Sequence, residues 1–280
     1  MGNQGGVHAG GRPIELTTAA LVECLETTHG RVGRLLAGLE AADWAANVPA
    51  TPAWSVGDVV AHLAESDRDA LAAAQGAWEL PGTLGDWTAA GVAAHRGEAP
   101  EARLEGWEAA ADALRWHLRE AAADALRWHL AALDAEGWRG RAPWVAGTVS
   151  VRTLGVLRLN DAWLHGRDMA EATGRGFEAD QATLAFLADL AARTVPGGLS
   201  RRGRARPGAV ILVRLGAHQW LLGGAAGERP APDAPPDLVL EADPMAFVLR
   251  AAGRTTTDPW RAQGDAGLAA DLALTLSTVR

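Results

Sequence analysis

The chain has 280 residues, 48% hydrophobic and 21% charged, with a formal charge of −8. That length can bury a sizeable core and, at roughly 150 residues per domain, suggests about two domains. The acidic balance argues against nucleic-acid and anionic-membrane partners, which need a basic footprint. The single cysteine, Cys24, excludes an internal disulfide and a thiolate metal cage.

A reducing cytoplasm is the simplest compartment for such a chain. No apolar run approaches the ~18 residues of a membrane span. The Gly-rich start lacks the basic-then-apolar pattern of a secretory leader. All 26 basic residues are Arg, Tyr is absent and Trp occurs 12 times. This skew reads as the coding bias of a high-GC genome.

In chain order, Leu21, Cys24, Leu25, Val32, Leu35, Leu36 and Leu39 recur at mostly three- and four-residue steps, predicting a helix over 16–41. Two Pro and two Trp over 42–54 suit a loop. Ser55-Val56-Gly57-Asp58 resembles a capping box opening a helix over 56–76, and Ser55 is read as that cap because no nucleophile elbow surrounds it. Residues 77–100 form a long Gly- and Pro-rich connection with room for a short helix. A helical stretch follows over 101–136. Within it Ala-Ala-Ala-Asp-Ala-Leu-Arg-Trp-His-Leu occurs twice, at 109–118 and 121–130. Twelve residues rotate a helix by about 120° beyond whole turns, so the two copies face different directions. The repeat is a duplication that lengthens one helix, and His117 and His129 are ordinary helix residues.

A fourth long helix is predicted over 150–173, with Gly174 as its stop signal, and a fifth over 179–193. Pro196, Gly197, Gly198 and the run Arg201, Arg202, Arg204, Arg206 then read as a solvated linker rather than an anion-steering patch. Beyond it, Ala209–Gly216 and His218–Leu222 read as a hairpin and Asp237–Ala242 as a third strand. Helices are predicted over 244–252 and 266–276. The fold class is therefore α+β with two domains: a mainly helical bundle over 14–195 and a small α+β domain over 205–280.

Asp161-Ala-Trp-Leu-His165 places a carboxylate and an imidazole on one helix face, one turn apart. His62 lies beside the apolar stripe of the second long helix. Three protein ligands and one open position are the pattern of a catalytic zinc-type site. The same residues are compatible with a bundle histidine and an intrahelical ion pair. Two imidazoles and a carboxylate also suit nickel, iron or manganese.

Trp54-Ser-Val-Gly-Asp-Val-Val-Ala-His62-Leu-Ala and Arg158-Leu-Asn-Asp161-Ala-Trp163-Leu-His165-Gly-Arg-Asp168-Met-Ala together resemble the mycothiol-dependent maleylpyruvate isomerase family. These are DinB-like metal-binding four-helix bundles with a small C-terminal α+β domain. The resemblance implies a divalent metal, usually zinc, on His62, Asp161 and His165. It also implies mycothiol as thiol cofactor. The family commonly carries Glu where this chain has Asp161; Asp, one methylene shorter, ligates if its helix sits closer, or binds through water. The implied chemistry is thiol activation at the metal, followed by isomerisation of, or S-transfer to, an electrophilic small molecule. On the same scaffold, the Asp161 departure is also compatible with a thiol-independent reaction in specialised metabolism, or with a non-catalytic small-molecule-binding protein.

Arg158, two turns before His165, is a candidate catalytic residue that would hold a substrate or thiol carboxylate. The alternative is a structural ion pair with Asp161 or a nearby acid. Asp168 is read as an acceptor behind a ligating imidazole. Cys24 is read as a buried small hydrophobe, and most Trp residues as packing groups. The pattern sets no oligomeric state.

Overall fold

The computed structural model describes residues 16–129, 140–145, 147–256 and 260–276. The chain divides into two compact units, one over 16–183 and one that includes 184–280.

The first unit is built on four long helices: α1 (Thr18–Ala37), α3 (Val56–Ala74), α5 (Pro100–His129) and α6 (Val151–Ala172). They form a ring in which α1 packs on α5 and α6, and α3 packs on the same two. Each start has a local cause. Thr17 caps α1 by accepting from the Ala20 N–H at 3.1 Å. Ser55 caps α3 in a reciprocal box with Asp58. Ser150 caps α6 by accepting from the Thr153 N–H at 3.0 Å. On α5, Trp107, Ala111, Leu114 and Leu118 are buried at steps of four, three and four, while Trp116 points to solvent. From residue 122 onward the side chains of the second repeat copy, including His129, lie outside the described residues.

The first predicted helix is shorter than its pattern suggested. Gly38 caps α1, its N–H donating to the Leu35 carbonyl and the Leu39 N–H to that of Leu36, and a separate short helix α2 (Ala41–Trp44) follows. The predicted loop over 42–54 also holds a small hairpin, β1 (Asn47–Val48) and β2 (Thr51–Ser55). The expected short helix inside 77–100 is α4 (Leu84–Ala94). A second hairpin, β3 (Arg141–Trp144) and β4 (Gly147–Ser150), leads into α6. Among the described residues no helix is long and apolar enough to cross a membrane.

The second unit opens on α7 (Gln181–Arg201), which begins at the end of the first. This helix runs straight through the predicted linker, with Pro196 inside it. Val195 and Leu199 continue its buried stripe, and tertiary burial outweighs the weak helix propensity of Pro and Gly. Gly198 has a packing reason: a Cβ there would lie 2.9 Å from Cγ2 of Thr275. Four strands follow as one sheet in the order β6-β5-β7-β8, with β5 (Val210–Leu215), β6 (His218–Gly223), β7 (Leu238–Ala242) and β8 (Arg261–Gly264). The β5–β6 hairpin turns at Gly216, whose φ of 60° is the left-handed value that a tight turn requires. β5 and β7 are parallel, and β7 and β8 antiparallel. Helices α8 (Pro244–Ala251) and α9 (Ala266–Leu276) complete the unit. Of the predicted solvated arginines, Arg204 and Arg206 both pair with Asp271 of α9, each at 2.8 Å.

Candidate metal centre

His62 sits two turns into α3, and Asp161 and His165 lie in the middle of α6. Because α3 and α6 are neighbours in the ring, three residues far apart in sequence meet. Each offers one ligand atom, and these atoms all lie within 4.8 Å of one another. Asp161 faces both rings with separate oxygens: Oδ2 is 3.4 Å from His62 Nε2, and Oδ1 is 3.4 Å from His165 Nε2. Tetrahedral bonds of ~2.0–2.1 Å place donor atoms about 3.3 Å apart, so the spacing suits a small divalent cation.

A polar group stands behind each imidazole, within hydrogen-bond geometry at His62 only. Ser66 Oγ lies 3.5 Å from His62 Nδ1, and Asp168 Oδ2 lies 3.3 Å from His165 Nδ1. Each arrangement leaves Nε2 turned toward the shared centre, as metal-binding histidines require. Burial pushes the His62 imidazole below its ordinary pKa, against the pull of Asp161. The ring is therefore neutral, the form that ligates. Burial alone would raise the Asp161 carboxyl. The Arg158 guanidinium, the His62 hydrogen bond and the charge of His165 outweigh it and hold the group well below the usual carboxylate range. The donor set is thus two imidazoles and an ionised carboxylate, and the residues fit a divalent metal.

Arg158 is buried on α6, one turn before Asp161. Its Nη1 donates to Asp161 Oδ2 at 2.6 Å and its Nε to Asp67 Oδ1 at 2.9 Å. Two protein carboxylates thus hold it. Asp67 lies on α3, five residues after His62, and is fully buried. Burial raises its carboxyl pKa, and Arg158 pulls it back. Beyond Asp67 lies His29 of α1, its Nε2 4.0 Å from Asp67 Oδ2. Neither ring nitrogen of His29 has a hydrogen-bond partner among the described residues. Burial, with help from Arg115 and Arg158, pushes its pKa down to about 3.

The outer wall is aromatic. The Trp54 ring centroid lies 5.2 Å from His62 and 6.5 Å from His165, and Trp87 of α4 lies 6.1 Å from His62. Trp87 also packs on Trp78 and Trp144, and its Nε1 donates to Asp69 Oδ2 at 2.6 Å. The far end of α4 is tied to α3 through His95, whose Nε2 lies 2.7 Å from Glu65 Oε1.

Sequence reasoning singled out His62, Asp161, His165, Arg158 and Asp168, and the fold brings all five together. It passed over Ser66, Asp67, His29 and the placement of Trp54 and Trp87. Ser66 carried a usable signal, since it stands one turn after His62 on the same face. Asp67 carried none, because an acid in an amphipathic helix reads as solvent-facing. Cys24 is buried, and burial raises its thiol pKa. The side chain of Ser55 is spent on its cap.

A family profile described as mycothiol maleylpyruvate isomerase N-terminal domain matches residues 25–170. That span contains the whole His62, Asp161 and His165 cluster. Two solved structures are similar: one of the mycothiol-dependent maleylpyruvate isomerase and one of a histidine-to-alanine mutant of it. Each matches 88% of this chain and 93% of its own, with a TM-score of 0.56 and 17% sequence identity. At that identity the likeness shows a shared two-domain α+β fold. No curated protein matches the chain.

Proposed function

The chain belongs to the mycothiol maleylpyruvate isomerase N-terminal domain family, and from that premise we propose that it is a thiol-dependent metalloenzyme. It would use mycothiol to isomerise, or to transfer sulfur to, an electrophilic small molecule. The observation that carries this reading is the convergence of His62 Nε2, His165 Nε2 and the Asp161 carboxylate on one point. When bound, a divalent cation of the zinc type supplies the charge that keeps a neighbouring thiol deprotonated at neutral pH.

The remaining roles belong to the chain. His62 and His165 offer their Nε2 atoms, with Ser66 behind His62 and Asp168 behind His165. Asp161 supplies the anion. Arg158 holds Asp161 in place, with Nε on Asp67 and Nη1 on Asp161, while its Nη2 has no hydrogen-bond partner among the described residues. Trp54 and Trp87 shield the imidazoles from water and lower the local dielectric, which strengthens every charge interaction at the centre.

The two reaction types leave different thiol balances. In isomerisation the thiol adds to an activated double bond, the resulting single bond rotates and the thiol departs unchanged. In S-transfer to an aryl halide the C–S bond replaces the C–halogen bond, halide and the thiol proton are released, and the thiol stays in the product. Zinc-loaded protein is therefore incubated with mycothiol and either maleylpyruvate or an activated aryl halide, and products and residual thiol are followed by mass spectrometry. The expected result is a product whose formation requires mycothiol and disappears in Asp161→Ala. A folded, zinc-loaded protein that forms no mycothiol-dependent product from either acceptor would contradict the reading.

A further inference from the structure

Asp67 is the least expected member of the centre. It is 0% exposed, lies on a different helix from Asp161, and touches none of the three candidate ligands directly. A buried carboxylate is costly unless paired and hydrogen-bonded, so its retention at this place calls for a role. Its partner Arg158 is equally buried and reaches Asp161 with one nitrogen only, Nη1, on one oxygen only, Oδ2. The other oxygen, Oδ1, remains turned toward His165 Nε2 at 3.4 Å.

A guanidinium can take a carboxylate with two parallel hydrogen bonds, and such a fork is its strongest arrangement. A fork from Arg158 to Asp161 through Nη1 and Nη2 would engage both carboxylate oxygens and turn Oδ1 from His165 toward the guanidinium, in competition with a cation. Asp67, by holding Nε at 2.9 Å, anchors the other edge of the guanidinium and fixes its plane. In that plane Nη1 alone meets Asp161, on Oδ2, while Nη2 has no hydrogen-bond partner among the described residues. Asp67 also balances charge. Arg158 places a positive charge beside a site that must accept a dication, and Asp67, 2.9 Å from its Nε, sets a carboxylate against that charge. The short side chain of Asp161 makes this restraint more important, because it has less reach with which to escape the guanidinium.

We propose that Asp67 is a positioning residue for the metal centre: by restraining Arg158 to one hydrogen bond and cancelling its charge, it keeps Asp161 available as a ligand. The inference rests on the metal reading above, and it acts through Arg158 rather than through contact with the cation.

The test is zinc affinity of the full chain at fixed pH, by competition with a chromophoric chelator. It is applied to wild type, Asp67→Asn, Asp67→Glu, Arg158→Met and the Asp67→Asn/Arg158→Met double variant. Circular dichroism and cooperative melting of the metal-free proteins check that each is folded. Asp67→Asn keeps an oxygen for Arg158 Nε but removes the balancing charge, and it is expected to weaken zinc binding about 10- to 100-fold, the range for outer-shell partners. Asp67→Glu, which restores the charge, is expected to recover part of the loss. Because Asp67 acts through Arg158, its replacement in the Arg158→Met background is expected to change affinity less than twofold. Should Asp67→Asn fail to fold, the double variant against Arg158→Met alone carries the test, since loss of both members of a buried pair is tolerated better than loss of one. Equal zinc affinity of wild type and Asp67→Asn, or an undiminished effect of Asp67→Asn without Arg158, overturns the role given to Asp67 and leaves the metal reading standing. A folded wild type that binds no zinc overturns the metal reading and this inference with it.

Discussion

A histidine that stays neutral far below its ordinary pKa ties the stability of the fold to pH. His29 has a folded pKa of about 3 against an ordinary value of 6.5, with burial the largest cause. Above pH 6.5 the folded and unfolded chains both carry the neutral ring, and this contribution does not vary. As pH falls from 6.5 toward 3, the unfolded chain takes up a proton that the folded chain refuses. Stability from this group is therefore full above 6.5 and declines at up to about 1.4 kcal/mol per pH unit within that window. Urea unfolding of wild type and His29→Leu between pH 7 and pH 4 isolates the term. The wild type is expected to lose stability more steeply by about one proton, and parallel profiles would contradict the assignment. Such residues mark the limit of what the sequence shows. The Asp161–His165 pair was legible from helical spacing, and His62 was joined to it as a ligand set through the resemblance of the two motifs to a known family. His29 and Asp67 were not, since their burial depends on which helix packs over them.

Among the elements, α6 carries the greatest constraint. It holds Arg158, Asp161, His165 and Asp168, and it is buried over most of its surface. Gly166, directly after His165, lets Phe177 lie against the helix: a Cβ there would fall 2.5–3.0 Å from three atoms of the Phe177 ring. Gly166→Ala is expected to force the ring or the helix to move, costing about 1–3 kcal/mol as overpacking does. Since His165 is the adjacent residue, zinc affinity is expected to fall with it. Thermal melting and chelator competition on the same variant check both effects, and a variant as stable as wild type would show that Phe177 has free space to yield. Long helices were legible because their apolar stripes repeat over several turns. The short strands were less so. Arg141–Trp144 contains a proline, and Arg261–Gly264 is exposed at every position, so neither shows the alternation that announces a strand. The helix through Pro196–Gly198 was hidden for the opposite reason: its local signals say stop, while burial of Val195 and Leu199 carries it on.

Across the whole molecule, helices followed by strands gave the two-domain α+β class from pattern alone. The order β6-β5-β7-β8, with its parallel central pair, was not legible, because register is set by contacts between distant segments. The acidic chain carries its candidate chemistry in one unit, where a bundle turns two distant sequence motifs into a single donor set. Everything proposed for its activity depends on that set holding a cation. The most direct measurement is metal content by elemental analysis of protein purified without a histidine tag, beside His62→Ala and His165→Ala. The account expects about one zinc or similar ion per chain in the wild type and its loss in both variants, with the bundle still folded. A well-folded wild type that carries no metal after zinc is supplied, or variants that retain it in full, would contradict the account.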